Sequence, residues 1–179
     1  GLQVERTFQY LEGYNIQLTQ TFRNTSATSA EVPKFRLNLG TEGPIHRYDV
    51  DRLIGAVWLT KDGSFRKVSV LDFLAGGLLG IEWSSARNNI SSEPDEAPIQ
   101  WAGVNNQFFV VLISPPEDHR ILQVDVHPRV LPKWKSYGDK VAKAAQAEVW
   151  MPGFQIPAGR ERTDTYNLYA GPKDYSRLS

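Results

Sequence analysis

Apolar and polar positions alternate from the first residues of the chain. Leu2, Val4, Phe8 and Tyr10 fall on one face, and Gln3, Glu5, Thr7 and Gln9 on the other. A period of two is the signature of a half-buried strand. After Leu11-Glu12-Gly13 the alternation resumes, with Tyr14, Ile16, Leu18 and Phe22 opposed to Asn15, Gln17, Thr19 and Thr21. Two such runs joined by a short glycine-containing turn predict a hairpin, and a polar face on each predicts an antiparallel sheet with water on one side. The polar stretch NTSATSAE reads as a loop and VPKFRLNLG as a third strand, with Pro33 near its start. In the middle of the chain LIGAVWLT and FRKVSVLDF flank KDGS, whose Asp62-Gly63 pair signals a second hairpin.

From Ala75 to Pro98, glycine, serine, asparagine and proline accumulate, and the reading is mostly loop. The longest unbroken apolar run is FFVVLI, Phe108 to Ile113. It is far shorter than the roughly 20 residues a membrane span needs, so it reads as a strand buried on both faces, with the preceding NNQ as the turn that feeds it. Further strands are expected at Ile121–Val130, Ala145–Met151 and Arg162–Ala170, while KSYGDKVAKAAQ has helix-forming residues but only a short apolar stripe. Pro172 after Gly171 suits a first helical position, and Tyr175 and Leu178 are three apart, so a short C-terminal helix is expected. Period-two segments outnumber helical ones, and the fold class is mainly all-β and antiparallel.

Length changes this picture little: 179 residues suit one domain, spanning 1–179, that can bury a sizeable core. Charge is more restrictive. Lys plus Arg and Asp plus Glu are each 20, which argues against a general nucleic-acid surface. The chain has no cysteine, so disulfides are excluded; this suits the cytosol or the periplasm equally. The opening GLQVERTF has neither a charged n-region nor an apolar h-region, and the most apolar segment, Leu71 to Ile81, is too short to span a bilayer and contains Asp72.

Candidate chemistry is sparse. Gln123, Asp125 and His127 share the face of a strand opposite Leu122, Val124 and Val126, which predicts a wet face. An aspartate and a histidine two apart are two ligands, short of a metal site. His46 and His119 lie in loops with no carboxylate or cysteine at ligand spacing. No G-x-S-x-G elbow is present, and the glycines of AGGLLG and LEGYN read as turns rather than phosphate cradles. The acidic cluster at Glu93 to Glu96 sits in a proline-rich loop and reads as a solvated turn. Of the five tryptophans, Trp58, Trp83, Trp101, Trp134 and Trp150, Trp134 between two lysines is the most open to exposure, yet core or crevice packing is the favoured reading even so. No catalytic residue, metal or cofactor is expected.

Three stretches together resemble the large periplasmic domain of bacterial YidC-type membrane protein insertases. RTFQYLEGYNIQLTQTFRN resembles the family's early hairpin through Arg6, Phe8, Gly13, Tyr14 and Asn24. WAGVNNQFFVVLIS resembles the segment in which a tryptophan and a glutamine, here Trp101 and Gln107, precede an aromatic pair, here Phe108 and Phe109, and an apolar strand. YNLYAGPKDYSRL is similar to the terminal strand and its Gly-Pro-Lys join; residues 40–98 match only loosely.

The resemblance implies a mutarotase-like antiparallel β-supersandwich in which Trp101 and the aromatic pair anchor a central strand after a VNN turn. It further implies a non-enzymatic domain at the periplasmic face of the inner membrane. There it would act in insertion and folding of membrane proteins by contacting translocon subunits or nascent chains through a surface cleft. Opening strands and a first transmembrane helix would then lie before Gly1, and the membrane core after Ser179. Lys173, Tyr175, Arg177 and Leu178 would be membrane-proximal or partner-contacting, on an amphipathic segment with Lys173 and Arg177 near the headgroups. No small-molecule substrate is expected. Two other functions remain compatible with such a fold: a carbohydrate-binding module, which would show a row of exposed tryptophans, and a mutarotase-like enzyme, which would need a histidine and a carboxylate converging in a cleft.

Overall fold

The first hairpin forms where the sequence alternates. In the computed structural model, which describes residues 1–78, 81–93, 97–117, 119–131 and 142–173 (76–84 in backbone only), β1 (Leu2–Tyr10) pairs antiparallel with β2 (Asn15–Asn24). Gly13 and Tyr14 take positive φ at the connection. Beside β2 lies β15 (Glu161–Pro172), followed by β11 (Phe109–Ser114), β10 (Ile99–Asn105), β5 (Gly55–Thr60) and β6 (Phe65–Ser69), so that seven antiparallel strands run β1-β2-β15-β11-β10-β5-β6. The second sheet is β4 (Phe35–Glu42), β13 (Lys143–Met151), β12 (Gln123–Val130) and the short β9 (Ile90–Ser91). Two small pairs complete the described strands: β3 (Ala30–Val32) with β14 (Phe154–Ile156), and β7 (Gly76–Leu78) with β8 (Ile81–Ser84).

The two larger sheets pack face to face, as a sandwich of half-apolar sheets must to hide both apolar faces. From the seven-stranded sheet Leu18, Ala56, Trp58, Ala102, Val104, Ile113 and Tyr166 point inward; from the other, Leu37, Val124, Val126, Ala145, Ala147 and Val149 meet them. Small alanines on β13, which packs across from β5 and β10, let the layers approach. A satellite cluster of Phe22, Val32 and Ile156, with Phe35 and Phe154 against it, closes one end.

The expected antiparallel sandwich is therefore present, with several local differences. β1 carries its apolar face inward in register with β2, but the second sheet is only four strands wide and does not reach it. Leu2, Val4, Phe8 and Tyr10 are between 40% and 82% exposed, so β1 is not half-buried. The segment after Ala75 is not simply loop: β7, β8 and β9 lie within it. VPKFRLNLG divides at Pro33-Lys34 into the end of β3 and the start of β4, and FRKVSVLDF ends as a 3-10 turn, Val70–Phe73, capped by Ser69 and Asp72. Pro172 does not open a helix. It is the last residue of β15, paired with Phe109, at a sheet end where its missing N–H costs nothing. The expected helix beyond it falls on 174–179, outside the described residues.

Candidate functional site

The apolar run Phe108 to Ile113, most of it in β11, locates a cleft. β11 is central in the sheet, between β10 and β15, and Ile113 points into the core. Its other face, Val110 and Leu112, does not meet a second sheet. Instead it forms the floor of a cleft of about 330 Å³ on the outer surface, together with Val57 and Leu53. The run is unbroken because both faces touch apolar surface, one in the core and one in the cleft; the strand is central but not doubly buried. Phe65 and Trp101 wall the cleft, their ring centroids 6.2 Å apart and their planes tilted by 58°. Gly103 lies between Trp101 and Asn105 on the same face, opposite Val57 and Leu112. A glycine in the interior of a strand leaves a depression where larger residues would fill the floor.

Two ammonium groups border this apolar surface, those of Lys67 on β6 and Lys173 at the end of β15. Neither has an ion-pair partner within 4 Å among the described residues. Partial burial, with Lys67 adding like-charge repulsion, holds Lys173 below the ordinary lysine pKa, while the Glu42 carboxylate pulls the other way. Burial pushes Glu42 up, although a hydrogen bond from Asn106 and the charge of Lys173 oppose the rise. Asn105, only 2% exposed, also lines the cleft. Its amide nitrogen donates to the Leu53 carbonyl at 2.8 Å, and its Oδ1 has no hydrogen-bond partner.

The polar residues before FFVVLI hold this arrangement. Asn106 Oδ1 accepts from the backbone N–H groups of Phe108 and Phe109, both at 2.8 Å, closing an Asx turn that swings the chain from β10 into β11. Gln107 accepts from the Val50 N–H at 3.2 Å, and the Lys173 N–H donates to the Phe108 carbonyl at 2.8 Å. Asn105 and Val104 belong to β10, so the turn is narrower than VNN. Trp101 stands on β10 and not on the strand of the aromatic pair.

A second, polar cleft of about 660 Å³ opens at the end of the sandwich. His119 and Asp164, distant in sequence, meet there with Nδ1 and Oδ2 3.8 Å apart and side chains 9% and 4% exposed. Arg162 Nε donates to Asp164 Oδ1 at 3.0 Å, and its guanidinium lies over the Phe154 ring at 4.1 Å. Asp164 Oδ2, Tyr166 OH and Gln20 Nε2 are buried without hydrogen-bond partners. Burial, reinforced by the Asp164 charge, raises the Tyr166 pKa well above its ordinary value. This convergence of a histidine and a carboxylate had no signal in local spacing, because strand pairing alone brings the two together.

The other sequence candidates disperse. Asp125 is not on a wet face: it is 8% exposed and accepts from Ser91, Gln123 and Trp150, each at 2.6 Å. Burial alone would raise its pKa, but these hydrogen bonds and the neighbouring His127 together hold it below the ordinary carboxylate value. His46 is exposed beside Asp49, with Nδ1 3.8 Å from the carboxylate. Trp58 is in the core, and Trp150 lies under Lys34 and Arg36. Trp134 is outside the described residues, as are Pro94 to Glu96 of the acidic cluster, and no side-chain description covers Trp83. Lys173 borders the apolar cleft; Tyr175, Arg177 and Leu178 are outside the described residues. Among the described residues no three His, Cys, Asp or Glu side chains are grouped closely enough to hold a metal ion.

The fold is a sandwich of antiparallel sheets with Trp101, Val110 and Leu112 at an outer cleft, and comparison with known proteins assigns it. The family described as the YidC periplasmic domain matches residues 1–179. The chain belongs to that family. It is also 26% identical over 170 residues to the membrane protein insertase YidC of Chlorobaculum parvum (strain DSM 263 / NCIMB 8327), a match that covers 92% of this chain and 26% of the relative. The chain thus spans about a quarter of that insertase's length. Among the described residues no helix is long and apolar enough to cross a membrane.

Proposed function

We propose that residues 1–179 form a single periplasmic sandwich domain of a membrane protein insertase, positioned at the outer face of the inner membrane. In this role it performs no chemistry of its own and holds apolar segments of nascent membrane proteins, or of a translocon subunit, while they are inserted and folded. The observation that carries the reading is the apolar cleft walled by the packed Phe65 and Trp101 rings. A depression floored by Val57, Val110 and Leu112 on a sheet face otherwise open to water is the kind of surface that takes an apolar chain segment. Lys173 at its border is followed in sequence by Tyr175, Arg177 and Leu178, and the membrane-proximal or partner-contact role of these four is retained, with Lys173 on the partner side and Arg177 near the headgroups.

The test is site-specific photocrosslinking in the intact insertase. A photoreactive residue in place of Leu112 or Phe65 is expected to trap a nascent membrane protein or a translocon subunit during insertion. The same probe in place of Thr163, in the polar cleft, serves as the reference. Equal trapping at both positions, or none at the apolar cleft, overturns the reading.

A sugar-active function has one observation in its favour, the approach of His119 to Asp164. Arg162 already engages the carboxylate, and both acid-base groups are nearly closed to solvent, which favours a structural ion-pair cluster. Polarimetry of a freshly dissolved aldose is expected to show no acceleration by the chain; acceleration lost in His119→Ala would favour the enzyme.

A further inference from the structure

Apolar surface explains why a chain segment would enter the cleft, but not why two ammonium groups stand over it. Lys67 comes from β6 and Lys173 from the end of β15, so the fold brings them to one border from opposite sides of the cleft's strands. An ammonium beside apolar, partly desolvated surface is costly unless a counter-charge is supplied. The carboxylate that acts on Lys173, Glu42, is hydrogen-bonded to Asn106 at 2.9 Å. It does not form an ion pair with either lysine among the described residues. Lys67 stands exposed and Lys173 partly buried at this border, and a carboxylate on the occupant would complement both.

We infer that the cleft selects polypeptide segments in which an apolar run is followed directly by a carboxylate side chain, the run lying on Val57, Leu112 and Trp101 and the carboxylate between Lys67 and Lys173. This rests on the docking role proposed above and names its substrate class. A peptide is favoured over a lipid because the cleft is short, with an apolar floor of Val57, Val110 and Leu112 and cations at one border only, which fits a few apolar side chains ending in one carboxylate. The charge preference also suits the location. Loops rich in Lys and Arg are retained on the cytoplasmic side of a membrane, so the ends of apolar segments presented on the opposite side are poor in cations and free to offer carboxylates.

Fluorescence anisotropy of the chain with three labelled peptides tests this. Each carries one leucine-rich run, ending in Glu-Glu, Gln-Gln or Lys-Lys. The Glu-Glu peptide is expected to bind about fivefold more tightly than the Gln-Gln peptide, the worth of a partly exposed ion pair, with Lys-Lys weakest. Lys67→Met and Lys173→Met, which keep an apolar stem, should bring the affinities for the Glu-Glu and Gln-Gln peptides together. Raising salt on the unaltered chain should shrink it as well, a measurement that needs no variant. Equal binding of all three peptides overturns the charge selection and leaves docking intact. Binding of none overturns docking itself, and if anionic vesicles then bind through Lys67 and Lys173, the cleft is a lipid site instead.

Discussion

At the scale of single residues, polar side chains decide more than their positions in the sequence suggest. Asp125 alternates with two valines as a solvent-facing residue would, yet the short strand β9 and Trp150 cover it. Three donors converge on its carboxylate at 2.6 Å. Because its folded pKa lies below the unfolded value near 3.8, its contribution to stability is complete above that value and is lost as pH falls through the folded one. Asp125→Asn, which sets an amide nitrogen against donors, is expected to cost about 2 kcal/mol at pH 7. Urea unfolding between pH 7 and pH 3 should show that deficit narrowing below about pH 4 as the native carboxylate is protonated. A deficit unchanged with pH would mean the side chain acts through shape alone. Asn106 is the opposite case: its place before an apolar run reads as a turn, and its Oδ1 makes that turn. His119 and Asp164 were illegible, since nothing local relates a loop histidine to a strand aspartate.

At the scale of elements, alternation identified β1, β2, β12, β13 and β15 because one face of each is apolar. It misjudged β11, where an unbroken run means apolar surface on both faces without meaning core on both. Gly103 on the neighbouring strand shows the same coupling. A Cβ there would strike the Val111 carbonyl oxygen and the Leu112 side chain, so β10 and β11 approach more closely than any other residue permits. Gly103→Ala is therefore expected to destabilise the chain by about 2–3 kcal/mol in chemical unfolding, as overpacking against backbone does. It should also accelerate amide exchange in β11 more than in β12. A neutral effect would show that the strands can separate without cost. The small strands β7, β9 and β14 went unread because two or three residues carry no period.

At the scale of the whole molecule, the two larger sheets differ in width, and the inner face of the wider one is uncovered at β1. Its outer edge is unpaired among the described residues and its apolar side chains are exposed, a combination that favours strand-to-strand association. Phe8→Lys, with Phe8 at 55% exposure, should change stability by less than about 0.5 kcal/mol. Sedimentation velocity is expected to show the unaltered chain associating with rising concentration and the variant remaining monomeric. Retained association in the variant would place the contact elsewhere, and a large loss of stability would show that β1 is covered in solution.

What the sequence by itself determined is the period and the punctuation: two-residue alternation, Asp62-Gly63, the asparagine turn and the shortness of any helical stripe already point to antiparallel sheets with one apolar face apiece. The motifs around Arg6–Asn24, Trp101 and Gly171-Pro172-Lys173 marked the family. Only the tertiary structure decided which apolar faces find a partner. Burial depends on how many strands each sheet has and where the other sheet ends, and these are properties of long-range pairing that no local pattern encodes. For that reason β1 is exposed although it alternates, Asp125 is buried although it alternates too, and the outer face of β11 becomes a cleft with Lys67 and Lys173 at its border.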